Sequence, residues 1–275
     1  MPEHRYGRTA FILGATITAT MLALALLSMI WTPYPPVAID IKAKLQGPSL
    51  RHLLGTDPFG RDTASMLMTG ARHSLSVATG SVLLGAGLGV PAGAMAAAIG
   101  GWLDDLVMRG NDLLFAFPAV LTAIMLAAAL GPSTWTAVIA IGLFNIPVFA
   151  RVTRSAAVRL WPRSFVQAAR LSGKGRFRIT VEHILPNIID QLVVQVTVQL
   201  ALAILAEAGL GYLGLSVPPP APSWGKMLAD AQTFLAVSPR LAILPGVMVA
   251  ITVLGLNMLG DGLRDRLDPR LAALR

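Results

Sequence analysis

Apolar residues fall in long runs along this chain, separated by shorter polar segments. A helix needs ~20 residues to cross the hydrocarbon core of a bilayer. The runs close to or above that length cover 9–31, 74–103, 113–130, 133–150, 191–213 and 241–260. The pattern predicts an all-α, polytopic membrane helix bundle with six transmembrane helices.

The first run follows a short basic N-terminus, an arrangement also found in signal peptides. The run is too long for a signal peptide, and the WTPYPP that follows it offers no small-residue cleavage site. We therefore expect a retained first transmembrane helix. The predicted division of the chain is a tail at 1–8, that helix at 9–31, an external loop at 32–73, a core domain with five helices at 74–265 and a tail at 266–275.

Charge supports the membrane interpretation and suggests an orientation. Only 13% of the residues are charged, against about a quarter in a soluble domain. The net charge of +8 would otherwise suggest nucleic acid, which six long apolar runs exclude in practice. Fifteen of the 22 Lys and Arg residues fall in the tails, near 100–112 and in the segment 151–190. The positive-inside rule places these segments, and both termini, in the cytoplasm.

Candidate chemistry is sparse. The chain has no cysteine, and its four histidines are scattered, so no metal site is predicted. The fragment 172–175, Ser-Gly-Lys-Gly, lacks the spacing of a phosphate-binding loop. We expect no enzyme activity and no cofactor in this chain.

The membrane runs contain two features of interest. Gly85, Gly89 and Gly93 are spaced by four, which lets another helix approach closely. Glu207 is the one ionisable residue well inside a run, and such residues are functional candidates by default. Either Glu207 lines a translocation path, or it reaches interfacial water near the outer end of its helix.

The segment 164–187 is basic and lies between the fourth and fifth runs. Ser164 and Gln167 form a capping-box pattern and Gly173 suits a left-handed C-terminal cap, which predicts a helix over 165–172. A helix this short is unstable alone in water. Either it fills a groove in another protein, or it is a polar loop lying on its own bundle.

The same segment resembles a known family. Gln167-Ala168-Ala169, Gly173 and Ile184-Leu185-Pro186 are similar to the E-A-A…G…I-x-L-P loop of binding-protein-dependent ABC importer permeases, with Gln167 in place of the glutamate and His183 at the isoleucine position. Other segments resemble the C-type subunit of the peptide/nickel branch. They are LGTDPFGRD at 54–62, GPSTW at 131–135, GYLGLSVPPPAPSWGKMLADA at 211–231 and LGDGLRDRLDPRL at 259–271.

The resemblance implies a type I ABC importer transmembrane domain in a bacterial inner membrane. It implies half of a pathway for peptides or a related solute such as a nickel chelate. Its partners would be a homologous second permease in a heterodimer, two ABC ATPases that bind ATP and Mg, an extracytoplasmic substrate-binding protein and lipid. The helix at 165–172 would then be a coupling helix. The residues assigned to ATPase coupling are Ser164, Phe165, Gln167, Ala168, Ala169, Arg170, Gly173, Leu185 and Pro186.

On the outer side, Asp57, Arg61, Asp62 and Trp224 are candidates for contact with the binding protein. An interfacial cap on the bundle is the alternative for these four residues. Two rival functions also remain at this stage, namely an ion-gradient-driven secondary transporter and a non-transporting membrane scaffold. The first would require inverted repeats or intramembrane ionisable pairs, and the second would have no need of a capped helix in this loop.

Overall fold

The computed structural model describes residues 3–267, and within them ten α-helices carry the architecture. They are α1 Glu3–Leu27, α2 Thr63–Ile99, α3 Gly101–Ala116, α4 Ala119–Leu130, α5 Thr134–Leu160, α6 Ser164–Leu171, α7 Arg176–Ile179, α8 Ile189–Tyr212, α9 Trp224–Ala231 and α10 Arg240–Leu267. Pairing of extended backbone in the described residues is confined to one isolated bridge, between Thr56 and Asp62. The all-α prediction is confirmed.

Five of these helices, α1, α2, α5, α8 and α10, are long and apolar enough to cross a membrane. A sixth span exists only if α3 and α4 are counted together, because their axes meet at 85°. The break falls at Phe117 and Pro118, where Phe117 is extended (φ −91°, ψ 132°). A proline disfavours helical geometry in the residue before it. The predicted span at 113–130 is therefore divided between the end of α3 and α4, with a sharp break at Phe117 and Pro118.

Helix α2 begins at Thr63, eleven residues before the predicted start at 74. The carboxylate of Asp62 caps it, accepting hydrogen bonds from the backbone N–H and the hydroxyl of Ser65 at 2.8 and 2.7 Å. Arg72 and His73 had suggested that the span begins after them. Both residues lie within the helix instead. The helix has 37 residues, more than the ~20 needed to cross the membrane, so part of it extends beyond the hydrocarbon core. The loop predicted to be external consequently ends at 62.

The N-terminal boundary also differs from the prediction. Helix α1 begins at Glu3, so most of the predicted tail 1–8 continues the first helix. Its membrane portion, Thr9–Leu27, packs along α10. The predicted C-terminal tail lies mostly outside the described residues, which end at 267.

Helices α2 and α5 form the most extensive helix pair in the core. The glycine stripe makes this contact: a Cβ added at Gly89 would lie 2.8 Å from the Cβ of Phe149, and one at Gly93 would lie 2.9 Å from the carbonyl carbon of Ala150. The backbones thus approach with little side chain between them, as the spacing of the glycines predicted. Pro91 does not interrupt α2.

The loops gather at two opposite ends of the bundle. At one end, the guanidinium of Arg240 donates hydrogen bonds to the carbonyls of Gln46 and Thr56, which joins the first external loop to the start of α10. At the other end, the segment 161–184 packs against Ala97 and Ala98 at the close of α2. Following the orientation that the Lys and Arg distribution predicts, we call the end formed by residues 32–62 and 213–239 the outer cap, and the end formed by residues 161–184 the inner platform.

Candidate functional site

The inner platform is built around α6. This helix begins at Ser164 with Arg163 as its N-cap, and no side chain caps it. The predicted capping box is therefore wrong, because Ser164 lies one residue inside the helix. Gln167 instead donates from Nε2 to the carbonyl of Trp161 at 3.2 Å, which ties the first turn back to the end of α5.

The end of α6 follows the sequence prediction. Gly173 has φ +79°. The N–H of Gly173 donates to the carbonyl of Arg170 at 2.9 Å, and the N–H of Lys174 donates to that of Ala169 at 3.2 Å. This pair of bonds is the Schellman motif, which requires a left-handed residue that glycine supplies at little cost. A Cβ at Gly173 would meet no atom within 4 Å among residues 3–267.

The two faces of α6 differ sharply. Val166 and Ala169 are buried against Trp161, Ile179 and Ile184 in a small core of their own. The prediction that Ala169 belongs to an exposed docking face is wrong, because this core anchors α6 to the bundle. The residues that remain outside are Ser164, Phe165, Gln167, Ala168, Arg170 and Leu171.

Two apolar side chains on the platform are almost fully exposed. Leu171 is 91% exposed and Phe177 is 83% exposed, whereas Phe165, which was assigned to ATPase coupling, is 40% exposed. Sequence analysis missed Leu171 and Phe177. Both lie beside basic residues in a segment outside the membrane runs. An apolar side chain in such a segment could have indicated a docking surface.

Glu182 organises the charges of the platform. Its carboxylate accepts hydrogen bonds from Lys174 Nζ at 2.6 Å and from Arg178 Nε at 2.5 Å. These two bonds, Lys174 first, lower the pKa of Glu182 to about 2. Arg170 lies over the ring of Trp161 at 5.1 Å. Several of the basic side chains therefore hold the platform together rather than pointing to a partner.

The chain returns to the membrane through irregular helical turns. A π-type turn at Thr180–Ile184 and a 3₁₀ turn at Leu185–Asn187 precede α8. Pro186 lies in the 3₁₀ turn, ahead of the start of α8 at Ile189. Leu185 packs on the cluster of Ile188 and Leu192, while Pro186 is exposed.

Glu207 is fully buried on α8. Its Oε1 accepts a hydrogen bond from the Ser216 hydroxyl at 3.0 Å. The hydroxyls of Ser74 and Ser223 lie near the carboxylate, whose Oε2 has no hydrogen-bond partner among the described residues. These serines come from α2 and from the outer segment that precedes α9. Glu207 therefore fastens the outer cap to the bundle and does not reach interfacial water.

The outer candidates are also structural. Asp57 and Asp62 are 5% and 3% exposed, and Trp224 is fully buried with Nε1 donating to the carbonyl of Leu67 at 3.1 Å. Asp57 closes its own turn by accepting hydrogen bonds from the N–H groups of Phe59 and Arg61 and an ion pair from the Arg61 guanidinium. The prediction that these residues form an outer contact surface is wrong for Asp57, Asp62 and Trp224, because packing of the cap encloses them.

A cavity of about 440 Å³ lies between α4, α5 and α8. Its lining is apolar apart from Asn145 on α5 and Gln199 on α8. Glu207 is not part of this lining. Both amides are uncharged, and neither was predicted from the sequence as a functional residue.

Comparison with known proteins identifies the architecture. Residues 89–273 match the family described as binding-protein-dependent transport system inner membrane component. The chain is 41% identical to the dipeptide transport system permease protein DppC of Alkalihalophilus pseudofirmus, over 94% of this chain and 86% of that protein. It is 37% identical to the glutathione transport system permease protein GsiD of Escherichia coli, over 97% and 89%.

Two further matches agree. A putative peptide permease protein of Brucella suis is 42% identical over 95% of this chain and 87% of its own length. Among solved structures, an inward-facing MetNI methionine ABC transporter aligns with a TM-score of 0.60 at 17% identity, over 76% of this chain and 96% of the matched chain. At that identity the likeness is one of fold.

Proposed function

This chain belongs to the family of binding-protein-dependent transport system inner membrane components, and on that premise we propose that it forms half of the membrane pathway of an ATP-driven peptide importer. The cargo class rests on relatives named for dipeptides, peptides and glutathione. The chain is a membrane component, and hydrolysis of ATP with Mg belongs to two partner ATPases.

The observation that carries the proposal is the inner platform. Leu171, Phe177 and Phe165 present apolar surface on a segment anchored to the bundle by its own small core. Exposed apolar side chains of this size favour burial in a partner's groove. The platform also connects α5 directly to α8, so a partner that moves α6 moves both helices.

The mechanism is mechanical coupling. When the ATPase pair closes on ATP, it displaces α6 together with its Val166 and Ala169 anchor. Helices α5 and α8 follow, and the bundle changes between inward-open and outward-open states. The partner acts as a ligand with different affinity for the two states, which is the requirement for any such shift.

The remaining partners complete the assembly. A homologous second permease faces the opening between α4, α5 and α8, and both termini lie in the cytoplasm as the Lys and Arg distribution predicts. An extracytoplasmic binding protein docks on the outer cap. We assign that contact to exposed apolar residues of the first loop, Ile41, Leu50 and Leu53, in place of the buried aspartates.

The test is Leu171→Asp in the full transporter, with Leu171→Met as the matched control that keeps an apolar side chain. We expect the first variant to lose the ATPase subunits on purification and to lose ATP-dependent uptake, and the second to keep both. Retention of the ATPases by Leu171→Asp would refute the platform as their contact. Uptake that survives ATP depletion and fails with an uncoupler would instead support a secondary transporter.

A further inference from the structure

The cavity between α4, α5 and α8 has a composition that the rest of the bundle does not explain. Its volume of about 440 Å³ lies within the range of roughly 300–1,000 Å³ typical of sites for small molecules. On α8 the lining residues Gln199, Leu202, Ala206 and Gly209 recur every three or four positions, so one helix face turns toward the opening.

Asn145 and Gln199 are the polar groups of this lining. They are only 6% and 4% exposed. The Nδ2 atom of Asn145 is buried and has no hydrogen-bond partner among the residues that the structure describes. A buried donor without a partner is destabilising, so its presence calls for an explanation that packing does not supply.

The position of Asn145 is fixed from behind. Gly85 of α2 packs directly on it: a Cβ at Gly85 would lie 3.0 Å from the carbonyl carbon of Asn145. The Cβ and backbone of Asn145 are therefore packed against α2, which fixes where this residue sits in the wall of the cavity. A binding group held in place in this way loses little entropy when it engages a ligand.

We propose that this cavity is a cargo subsite in which the amides of Asn145 and Gln199 hydrogen-bond the peptide bonds of the passing solute. The inference rests on the proposed function, since it presumes that peptides enter. A carboxamide carries both a donor and an acceptor and thus matches the two polar groups of a peptide bond. The lining contains no charged side chain, so recognition falls on the backbone of the cargo rather than on its charges.

The apolar remainder of the lining fits the same role. Phe115, Phe144 and Leu202 contact varied side chains without selecting among them. Neutral hydrogen bonds are weak enough to release cargo, which a transport site requires as much as binding. The subsite would hold each peptide briefly while the bundle changes state.

The experiment uses the complete transporter in proteoliposomes with its binding protein, and labelled alanyl-alanine, trialanine and glutathione as probes. The test variants are Asn145→Leu and Gln199→Leu. Gln191→Leu is the matched control, because it makes the same chemical change on an exposed position of α8. Peptide uptake and ATP hydrolysis stimulated by loaded binding protein are both measured.

We expect each test variant to lower peptide molecules transported per ATP by about three- to tenfold, the effect of losing one neutral hydrogen bond, with stimulated hydrolysis unchanged. Test variants equal to the control would overturn the subsite. Loss of the second permease on purification would also overturn it, by showing that a partner helix fills the cavity. Absence of uptake of all three probes by the unmodified transporter would instead refute the peptide function itself.

Discussion

Ser216 donates a hydrogen bond to the Glu207 carboxylate at 3.0 Å inside the bundle, and this contact joins the outer cap to α8. Glu207 is fully buried, as is Trp224, the first residue of α9. Close packing reinforces the joint, since a Cβ at Gly225 would lie 2.8 Å from the Cα of Ala208. The acid is therefore part of the cap's attachment.

Replacing Glu207 should loosen that attachment. In Glu207→Leu the hydroxyl of Ser216 stays buried without its acceptor, and we expect a loss of about 1–3 kcal/mol in the free energy of unfolding. Glu207→Gln keeps an acceptor and should retain most of the stability. Thermal unfolding in detergent and proteolysis of segment 213–223 measure the effect. Equal stability of the two variants would show that the carboxylate does not fasten the cap.

Gly173 should be sensitive to both backbone and bulk. Its φ of +79° costs a residue with a Cβ about 1–2 kcal/mol. Because no described residue lies near a Cβ there, we attribute any further effect of Gly173→Leu to the proposed contact with an ATPase. We expect loss of uptake with normal membrane insertion for Gly173→Leu, and partial activity for Gly173→Ala and Gly173→Asn. Uptake assays beside membrane quantification decide this, and normal transport by Gly173→Leu would remove Gly173 from the docking site.

The inner platform should keep the stability that ionised Glu182 contributes when the pH falls from 7 to 5. Because bonds from Lys174 and Arg178 lower the pKa of Glu182 to about 2 from 4.5, the ionised form contributes stability in full above pH 4.5, and the contribution is lost as pH falls through 2. Hydrogen exchange of 174–187 should therefore be equally protected at pH 7 and pH 5, after correction for the intrinsic exchange rate. Glu182→Gln should lower protection at pH 7, and Asp190→Asn, at the start of α8, should not. Loss of protection between pH 7 and 5 would contradict this assignment.

Water should reach the cavity. The chain has no cysteine, so single cysteines report cleanly. Leu202 lines the cavity and Leu254 on α10 does not, although both are 54% exposed. A thiol reacts as its thiolate, which needs water. In the assembled transporter a membrane-impermeant maleimide should label Leu202→Cys faster than Leu254→Cys, and labelling at equal rates would place Leu202 in lipid.

Local residue identity was enough to predict some of these features. Gly173 was predicted as a left-handed cap and Gly89 as a point of helix contact, because each depends on the backbone at that residue. The predictions for the outer cap were less accurate, because Asp62 was predicted as an outward-facing polar residue and Trp224 as an interfacial residue. The burial of Trp224 follows from packing between segments more than 150 positions apart, as in its bond to Leu67, and no local pattern contains it. Asp62 is held more locally, by the N–H of Ser65 and the ring of His52.

The cavity shows a different reason for failure. Asn145 and Gln199 stand in apolar runs as visibly as Glu207 does, but uncharged amides were not treated as functional candidates. A buried amide without a partner costs free energy as well. Which of the three polar residues faces the opening depends on helix rotation, and the apolar runs are too uniform to reveal that rotation.

The bare contact between α2 and α5 has a mechanical consequence. Where side chains interdigitate, rotamer changes can accommodate a displacement of one helix. At Gly89 and Gly93 backbone packs on backbone, so almost no such adjustment is possible. A displacement of α5 therefore moves α2 by nearly the same amount. Helix α2 runs unbroken from there to its N-cap, Asp62, in the outer cap. The rigid contact that makes the core dense therefore transmits a displacement of the inner platform to the opposite side of the membrane.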